Sequence, residues 1–86
     1  DSAKIIYLSL LHAKQLIRSG ELNPEKIKNE IENMILSVSG FNIDYISIAD
    51  SKTLLEIDGN ITINSGAIVS LAVFLNKVRL IDNVYI

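Results

Sequence analysis

The 86-residue sequence contains no cysteine and only one histidine, His12. Without cysteine, a disulfide scaffold, a zinc ribbon and a thiol nucleophile are all excluded. A single histidine cannot form a histidine pair or a histidine-rich metal site. Proline occurs once and glycine four times, which excludes collagen-like, linker and low-complexity chains.

The sequence also lacks a long apolar run and an excess of one charge. Its longest largely apolar stretch, Ala67 to Leu75, is about half of the ~18 residues that a membrane span needs. Eight basic and ten acidic residues give a formal charge of −2, and the basic residues are scattered. Because nucleic-acid binding needs clustered basic side chains, we expect no nucleic-acid partner and no membrane partner. We expect a cytoplasmic protein.

Hydrophobic residues make up 49% of the chain and charged residues 21%, which is typical of a folded domain rather than a disordered segment. A chain of this length forms one small domain with one modest core. The sequence starts at Asp1 rather than Met, and its first helical pattern already includes Lys4. We therefore expect residues 1–86 to be a single domain of a longer protein.

The first half of the chain has the periodicity of two helices. Apolar residues recur at helical spacing from Ile6 to Ile17, with Ser2 predicted as the N-cap and Gly20 as the end. Further leucines widen this stripe and predict burial on more than one side of the helix: Leu8, Leu11 and Leu16.

The second helix has a clearer start. Asn23 is the predicted N-cap, Pro24 stands at the first helical position, and Glu25 suits the positive end of the helix dipole. Apolar residues then mark one face of the helix, and Gly40 is predicted to end it. The short connection between the two helices predicts an antiparallel pair.

From Phe41 onwards the periodicity is that of β-strands. Residues 43–49 predict a strand with Ile46 and Ile48 on one face, and Ala67 to Leu75 predicts a central strand. A tight turn would join it to a last strand, Val78 to Tyr85, and Asp58-Gly59 predicts a hairpin-like turn earlier in the chain. The expected fold class is α+β, an N-terminal antiparallel helix pair packed on a small, mainly antiparallel β-sheet.

Candidate acid–base and metal-binding groups are few, and a structural interpretation is favoured for each. His12 lies in the middle of the first helix. Asp44 and Asp50 could act as a general acid and base on one strand face, but solvated positions at a strand edge are favoured. Asp58-Gly59-Asn60 resembles the start of a calcium loop, yet the later ligands are missing, so we interpret it as a turn.

Glycines and aromatic residues give no stronger signal. Gly59 and Gly66 do not form a phosphate-binding pattern. The five aromatic residues could stack on bases, but without basic neighbours they are interpreted as core residues: Tyr7, Phe41, Tyr45, Phe74 and Tyr85. We therefore predict no catalytic, substrate-binding or metal-binding residue in this domain.

The last strand contains charged residues that need partners. Arg79 and Asp82 flank Leu80 and Ile81, and strand alternation places the two charged side chains on opposite faces. An unpaired buried charge costs several kcal/mol. The pair could be satisfied within the domain or could meet another domain. We expect Asp82 to accept backbone N–H groups or to pair with a lysine.

Several segments together resemble the C-terminal domain of the pantothenate synthetase (pantoate–β-alanine ligase) family. They are Ile43–Asp50, Lys52–Leu54, Gly66–Val73 and Arg79–Asn83, preceded by a helix, a Gly20-Glu21 turn and Pro24. The resemblance covers nearly the whole chain. The sequence departs from the family pattern at three places: Ser51, the turn Asn76-Lys77, and the long stretch Ile57 to Ser65.

The resemblance implies an ATP-dependent ligase. In this family ATP and Mg²⁺ serve to convert pantoate into pantoyl-adenylate, and the amine of β-alanine then releases AMP and yields pantothenate. The groups that bind ATP and pantoate belong to an N-terminal Rossmann-like domain, whose His-x-Gly-His and Ser-Ser-Arg-Asn segments do not occur here. This domain is then expected to act as a lid that shields the adenylate from water. A homodimer of the full-length enzyme is expected.

Two other classes of function remain open from the residues. A free-standing interaction or dimerisation module would also lack catalytic groups. A small-ligand-binding regulatory domain would need a polar-lined pocket, which the sequence does not locate. A His-x-Gly-His segment encoded upstream of Asp1 would favour the ligase.

Overall fold

The computed structural model describes residues 3–62 and 65–86, and it confirms the α+β class. Two helices come first, α1 (Lys4–Arg18) and α2 (Pro24–Leu36), followed by three strands: β1 (Phe41–Asp50), β2 (Ala67–Leu75) and β3 (Val78–Tyr85). The strands form one antiparallel sheet in the order β1-β2-β3. Both helices pack on the same side of this sheet, α2 against β1 and α1 against β2 and β3.

The ends of the helices follow the sequence closely. Asn23 caps α2, since its Oδ1 accepts the N–H of Glu25 at 3.0 Å, and Pro24 is the first helical residue, as predicted. Gly20 follows α1 with a φ of +109°. The predicted end of α2 at Gly40 is wrong, because the helix already ends at Leu36. Ser2, the predicted cap of α1, lies outside the described residues.

The core lies between the helices and one face of the sheet. Isoleucines at helical spacing supply the α2 side, where Ile27, Ile31 and Ile35 are fully buried. On β2, alternate residues face the helices and are also fully buried: Ala67, Val69, Leu71 and Val73. The prediction that α1 is buried on more than one side is wrong for Leu8, which is 39% exposed.

A β-bulge interrupts the pairing of β1 with β2. The register runs from Phe41 opposite Leu75 to Ile43 opposite Val73, and then continues with Tyr45 opposite Ala72. Asp44 is therefore an extra residue on β1, and the side-chain alternation shifts by one position there. Because of this shift, Ile43 before the bulge and Ile46 and Ile48 after it all contribute to the core on the helix side.

The connection from β1 to β2 does not form the predicted hairpin around Asp58-Gly59. The backbone N–H of Ile57 donates to the carbonyl of Ile48, and the N–H of Ile61 donates to the carbonyl of Leu22 in the α1–α2 loop. The chain thus leaves the sheet edge and crosses to the helix loop, where Ile61 enters the core. Residues 63–64 of the long stretch Ile57 to Ser65 lie outside the described residues.

Gly66 precedes β2 at a crowded point. Its φ is +79°, and a Cβ there would lie 2.7 Å from Oγ of Ser51, whose hydroxyl donates to the carbonyl of Ser65. Gly59 has a φ of +95° with nothing within 4 Å of a Cβ. Both glycines therefore have a positive φ that other residues rarely adopt. Of the two, Gly66 also lies where a Cβ would be too close to Ser51.

We expect Gly59→Ala to lower the free energy of unfolding by about 1–2 kcal/mol through the left-handed backbone alone. Gly66→Ala should cost roughly 1 kcal/mol more, because it also displaces the Ser51 hydroxyl from its hydrogen bond. Urea denaturation followed by circular dichroism measures both, and the wild-type chain should unfold in one cooperative transition. Equal losses for the two variants would show that the contact with Ser51 is unimportant.

Candidate functional site

The Asp50 turn closes the end of β1. Its Oδ1 accepts the backbone N–H groups of Lys52 at 2.8 Å and Thr53 at 3.0 Å, and its carbonyl accepts the N–H of Leu54. The hydrogen bonds from Thr53 and Lys52 hold the pKa of Asp50 below its ordinary value. This carboxylate stabilises a turn, and the residue after Thr53, Leu54, takes the left-handed φ of +63°.

Asp44 does not share a face with Asp50, so the geometry does not support the alternative that the two act as a general acid and base. The bulge turns Asp44 towards the sheet face that lies opposite the helices. There its Oδ2 accepts two hydrogen bonds from Arg79 of β3, from Nη2 at 2.9 Å and from Nε at 3.2 Å. The ion pair spans the central strand β2, and both side chains are about two-fifths exposed.

Arg79 and Asp82 lie on opposite faces of β3, as predicted. Arg79 stands opposite Phe74, whereas Asp82 stands opposite Leu71 on the helix side. Asp82 Oδ1 accepts the backbone N–H of Asn83 at 2.8 Å, which confirms the expected acceptor role. Among residues 3–62 and 65–86, Asp82 makes no ion pair with a lysine.

His12 is partly buried, and its Nε2 lies 3.8 Å from Oε1 of Glu30 on α2. Ser9 stands three residues earlier on α1 and is fully buried. Its hydroxyl donates to the carbonyl of Ile6 at 2.8 Å rather than to the imidazole. His12 therefore faces Glu30 between the two helices, in agreement with the structural interpretation.

Glu56 organises a cluster that the sequence patterns did not indicate. Its carboxylate accepts the Ser47 hydroxyl at 2.8 Å and the backbone N–H of Ile48 at 2.9 Å. The ammonium of Lys28 on α2 lies 3.8 Å from Oε1. Glu56 also forms a single backbone bridge with Ala49. The cluster ties α2 and the connecting loop to the outer edge of β1 and occupies backbone groups that would otherwise be open.

The aromatic residues divide between the core and the surface. Phe41 is 6% exposed and belongs to the core, as predicted. The prediction is wrong for the tyrosines, since Tyr7 is 60%, Tyr45 39% and Tyr85 64% exposed. Tyr7 lies on α1, whereas Tyr45 and Tyr85 lie on β1 and β3 and point away from the helices.

Within the described ranges, no group of three His, Asp or Glu side chains is placed to hold a metal ion. A surface cleft of ≈ 350 Å³ lies between α1 and β3, and its lining includes Lys14, Leu10, Tyr7, Asp82 and Val84. No helix in the described part of the chain is long and apolar enough to cross a bilayer. In residues 3–62 and 65–86, the polar groups discussed above are thus paired or capped and do not converge on one reacting atom.

Comparison with known proteins gives one consistent result. The family model described as pantoate–β-alanine ligase matches residues 1–85. The chain belongs to the pantoate–β-alanine ligase family. It is 44% identical over 81 residues to pantothenate synthetase of Thermosipho africanus and 46% identical over 81 residues to that of Fervidobacterium nodosum. In each case the match covers 94% of this chain and 28% of the relative.

Solved structures agree with the sequence relatives. The crystal structure of pantothenate synthetase from Thermus thermophilus superposes with a TM-score of 0.76 and 26% identity, over 93% of this chain and 28% of that chain. The chain thus spans little more than a quarter of the length of the relatives it matches. It corresponds to the C-terminal domain of the family, as the Arg79–Asn83 and Ile43–Asp50 segments predicted.

The lowered pKa of Asp50 predicts a dependence of stability on pH. Since the folded state holds this pKa below the unfolded value of about 3.9, the carboxylate stabilises the fold above that pH. The contribution is lost as the pH falls through the folded pKa. Asp50→Asn should therefore reduce stability most near neutral pH, and the difference from wild type should shrink below about pH 4.

Urea midpoints measured between pH 7 and pH 3 test this dependence. Asp58→Asn, at an exposed carboxylate in the same connection, controls for the general loss of one negative charge. A difference between wild type and Asp50→Asn that stays constant down to pH 3 would contradict the proposed role of the turn.

Proposed function

We propose that this chain is the C-terminal, lid-type domain of a longer two-domain pantothenate synthetase. The whole enzyme would join pantoate to β-alanine through pantoyl-adenylate, with consumption of ATP and release of AMP and diphosphate. The observation that carries the proposal is the family match over residues 1–85, together with relatives that are named pantothenate synthetase. An N-terminal Rossmann-like domain would complete the enzyme.

Within the described ranges no three acidic or histidine side chains are grouped to hold a metal ion, and three carboxylates are already engaged, so these residues do not fit a site for magnesium and ATP. Asp44 is taken up by Arg79, Asp50 by two backbone N–H groups, and Glu56 by Ser47 and the backbone of Ile48. A magnesium site needs carboxylate oxygens that are free to face the ion. We therefore assign ATP, Mg²⁺, pantoate and β-alanine to the remainder of the enzyme, and we derive no step of the reaction through this domain.

The role left for this domain is to cover the reacting groups. An acyl-adenylate is an activated carboxyl group that water hydrolyses, so the site must be closed until the amine attacks. A small domain with its own core can move as one body over such a site. We include a cytoplasmic location and a homodimer of the whole enzyme in the proposal.

The first test compares the full-length enzyme with the 86-residue chain. Given pantoate, β-alanine and ATP, the full-length enzyme should form pantothenate and AMP in equal amounts. The chain alone should form neither, and calorimetry with millimolar ATP should give no binding heat. Pantothenate formation without AMP would contradict the adenylate route. Clear heat from ATP and the isolated chain would reveal a nucleotide site in this domain.

The second test concerns Arg79 as a positioning residue for closure. In the full-length enzyme, Arg79→Ala should lower turnover and raise the AMP released per pantothenate above one, because an incompletely closed site lets water reach the adenylate. Asp44→Asn is the matched control, since it removes the ion pair but keeps the guanidinium. A smaller rise with Asp44→Asn than with Arg79→Ala would assign the effect to the guanidinium, and an equal rise would assign it to the ion pair.

The thermal stability of the same variants separates the two roles of Arg79. An exposed ion pair contributes about 0.2–1 kcal/mol, so both variants should show a small and similar decrease in Tm. If Arg79→Ala lowers the Tm but leaves the ratio of AMP to pantothenate at one, Arg79 is structural and has no part in closure.

A further inference from the structure

The sheet has one face that the helices do not cover, which we call the open face. Strand alternation assigns to it residues from all three strands. Three of its apolar side chains are strongly exposed, Ile81 at 58%, Tyr85 at 64% and Tyr45 at 39%. Its apolar members are Tyr45, Ala49, Ile68, Ala72, Phe74, Ile81 and Tyr85.

The central strand has the composition of a strand that is buried on both faces. A strand with one solvated face alternates apolar and polar residues. In β2 the open-face positions are instead occupied by Ile68, Ser70, Ala72 and Phe74, with one polar residue among four. Ala72 is fully buried, because it stands between Tyr45 of β1 and Ile81 of β3. The strongly exposed apolar side chains of the open face thus belong to β1 and β3, on either side of β2.

The charges of the open face are also arranged for contact with another surface. Asp44 and Arg79 neutralise each other across β2 through two hydrogen bonds to one carboxylate oxygen. Unpaired charges are costly to bury, whereas a paired and hydrogen-bonded couple is tolerated at an interface. The exposed side of α2, by contrast, carries several charged residues that remain in solvent, including Glu25, Lys26, Glu30 and Glu32.

We propose that the open face docks on the larger, remaining part of the same ligase chain. This inference rests on the proposed function, which requires a surface of this domain to meet the catalytic part. The greater part of each relative's length lies outside the matched 28%, so the longer chain itself supplies an occupant. The surface that it offers should be largely apolar and electrically neutral, to match the open face.

The size of the open face favours this occupant over a second copy. Three strands about 4.8 Å apart and about eight residues long present a face of roughly 14 by 27 Å, or about 400 Å². Stable interfaces between separate chains bury about 800 Å² on each partner. Interfaces between domains of one chain bury about 600–1,500 Å² in total, and the linker holds the two surfaces together. The open face fits the second case.

The three tyrosines of the chain allow a direct test by hydroxyl-radical footprinting. Tyr45 and Tyr85 lie on the open face, and Tyr7, which is similarly exposed, lies on α1 as an internal control. Oxidation rates are compared between the isolated 86-residue chain and the full-length ligase. Tyr45 and Tyr85 should react about threefold or more slowly in the ligase, because a docked surface excludes solvent from them. The rate at Tyr7 should be unchanged.

A pair of variants links the protection to the open face. Ile81→Lys places a charge on the open face beside the buried Ala72, whereas Leu36→Lys changes a similarly exposed residue at the end of α2. In the full-length ligase, Ile81→Lys should return Tyr45 and Tyr85 to their rates in the isolated chain, and Leu36→Lys should leave them protected. Circular dichroism of the isolated variants establishes that both remain folded.

Each outcome decides the proposal. Equal rates at Tyr45 and Tyr85 in the isolated chain and the ligase would overturn it, as would protection of Tyr7 alone. Protection in the isolated chain that grows with protein concentration would identify a second copy as the occupant instead. The pantothenate assay is read separately. If the ligase is active and its tyrosines are unprotected, the proposed function stands and the docking face is wrong. If the ligase is inactive and its tyrosines are protected, the docking face stands and the proposed function is wrong.

Discussion

The burial of one face of β2 is the interaction on which the rest of this small domain depends. Val69, Leu71 and Val73 are fully buried, and both neighbouring strands hydrogen-bond to β2. The inward stripe of α1 packs over this strip, and the isoleucines of α2 extend the same core over β1. Each buried aliphatic side chain contributes about 1.5–3 kcal/mol of hydrophobic free energy, and in a chain of this length the one core must supply nearly all of it. The described residues form no second core that could compensate for damage to β2.

The bulge at Asp44 reconciles that core with the ion pair on the opposite face. Without an extra residue in β1, strict alternation would place Ile43 on one face and Ile46 on the other. The bulge keeps both on the helix side and turns Asp44 towards Arg79 of β3. A local insertion thus changes which chemical groups share a face, although it leaves the strand order untouched. The same shift separates Asp44 from Asp50.

The sequence predicted those features that depend on neighbouring residues. The Asn23-Pro24 start of α2, the turn at Asn76-Lys77 and the α+β class all follow from local spacing. The bulge left only a weak signal, the three-residue separation of Ile43 and Ile46, where alternation predicts two or four. The hydrogen-bond partners of Glu56 lie 8–9 residues away and that of Asp44 lies 35 residues away, so they depend on a register that the sequence pattern does not specify. The exposure of the tyrosines was missed because hydrophobicity predicts burial without saying which face is covered.

A core on one side of the sheet has a consequence for how such a domain can work with a larger one. The hydrophobic core lies between the sheet and the helices, so the open face can gain or lose a partner surface without disturbing it. The Glu56 cluster and the Asp50 turn fix the outer edge and the end of β1, which leaves the strands as a stiff platform. Stability and docking are therefore assigned to opposite faces of one sheet. A domain built in this way can separate from a neighbouring surface and return to it as a rigid body, which is the property that the proposed lid role requires.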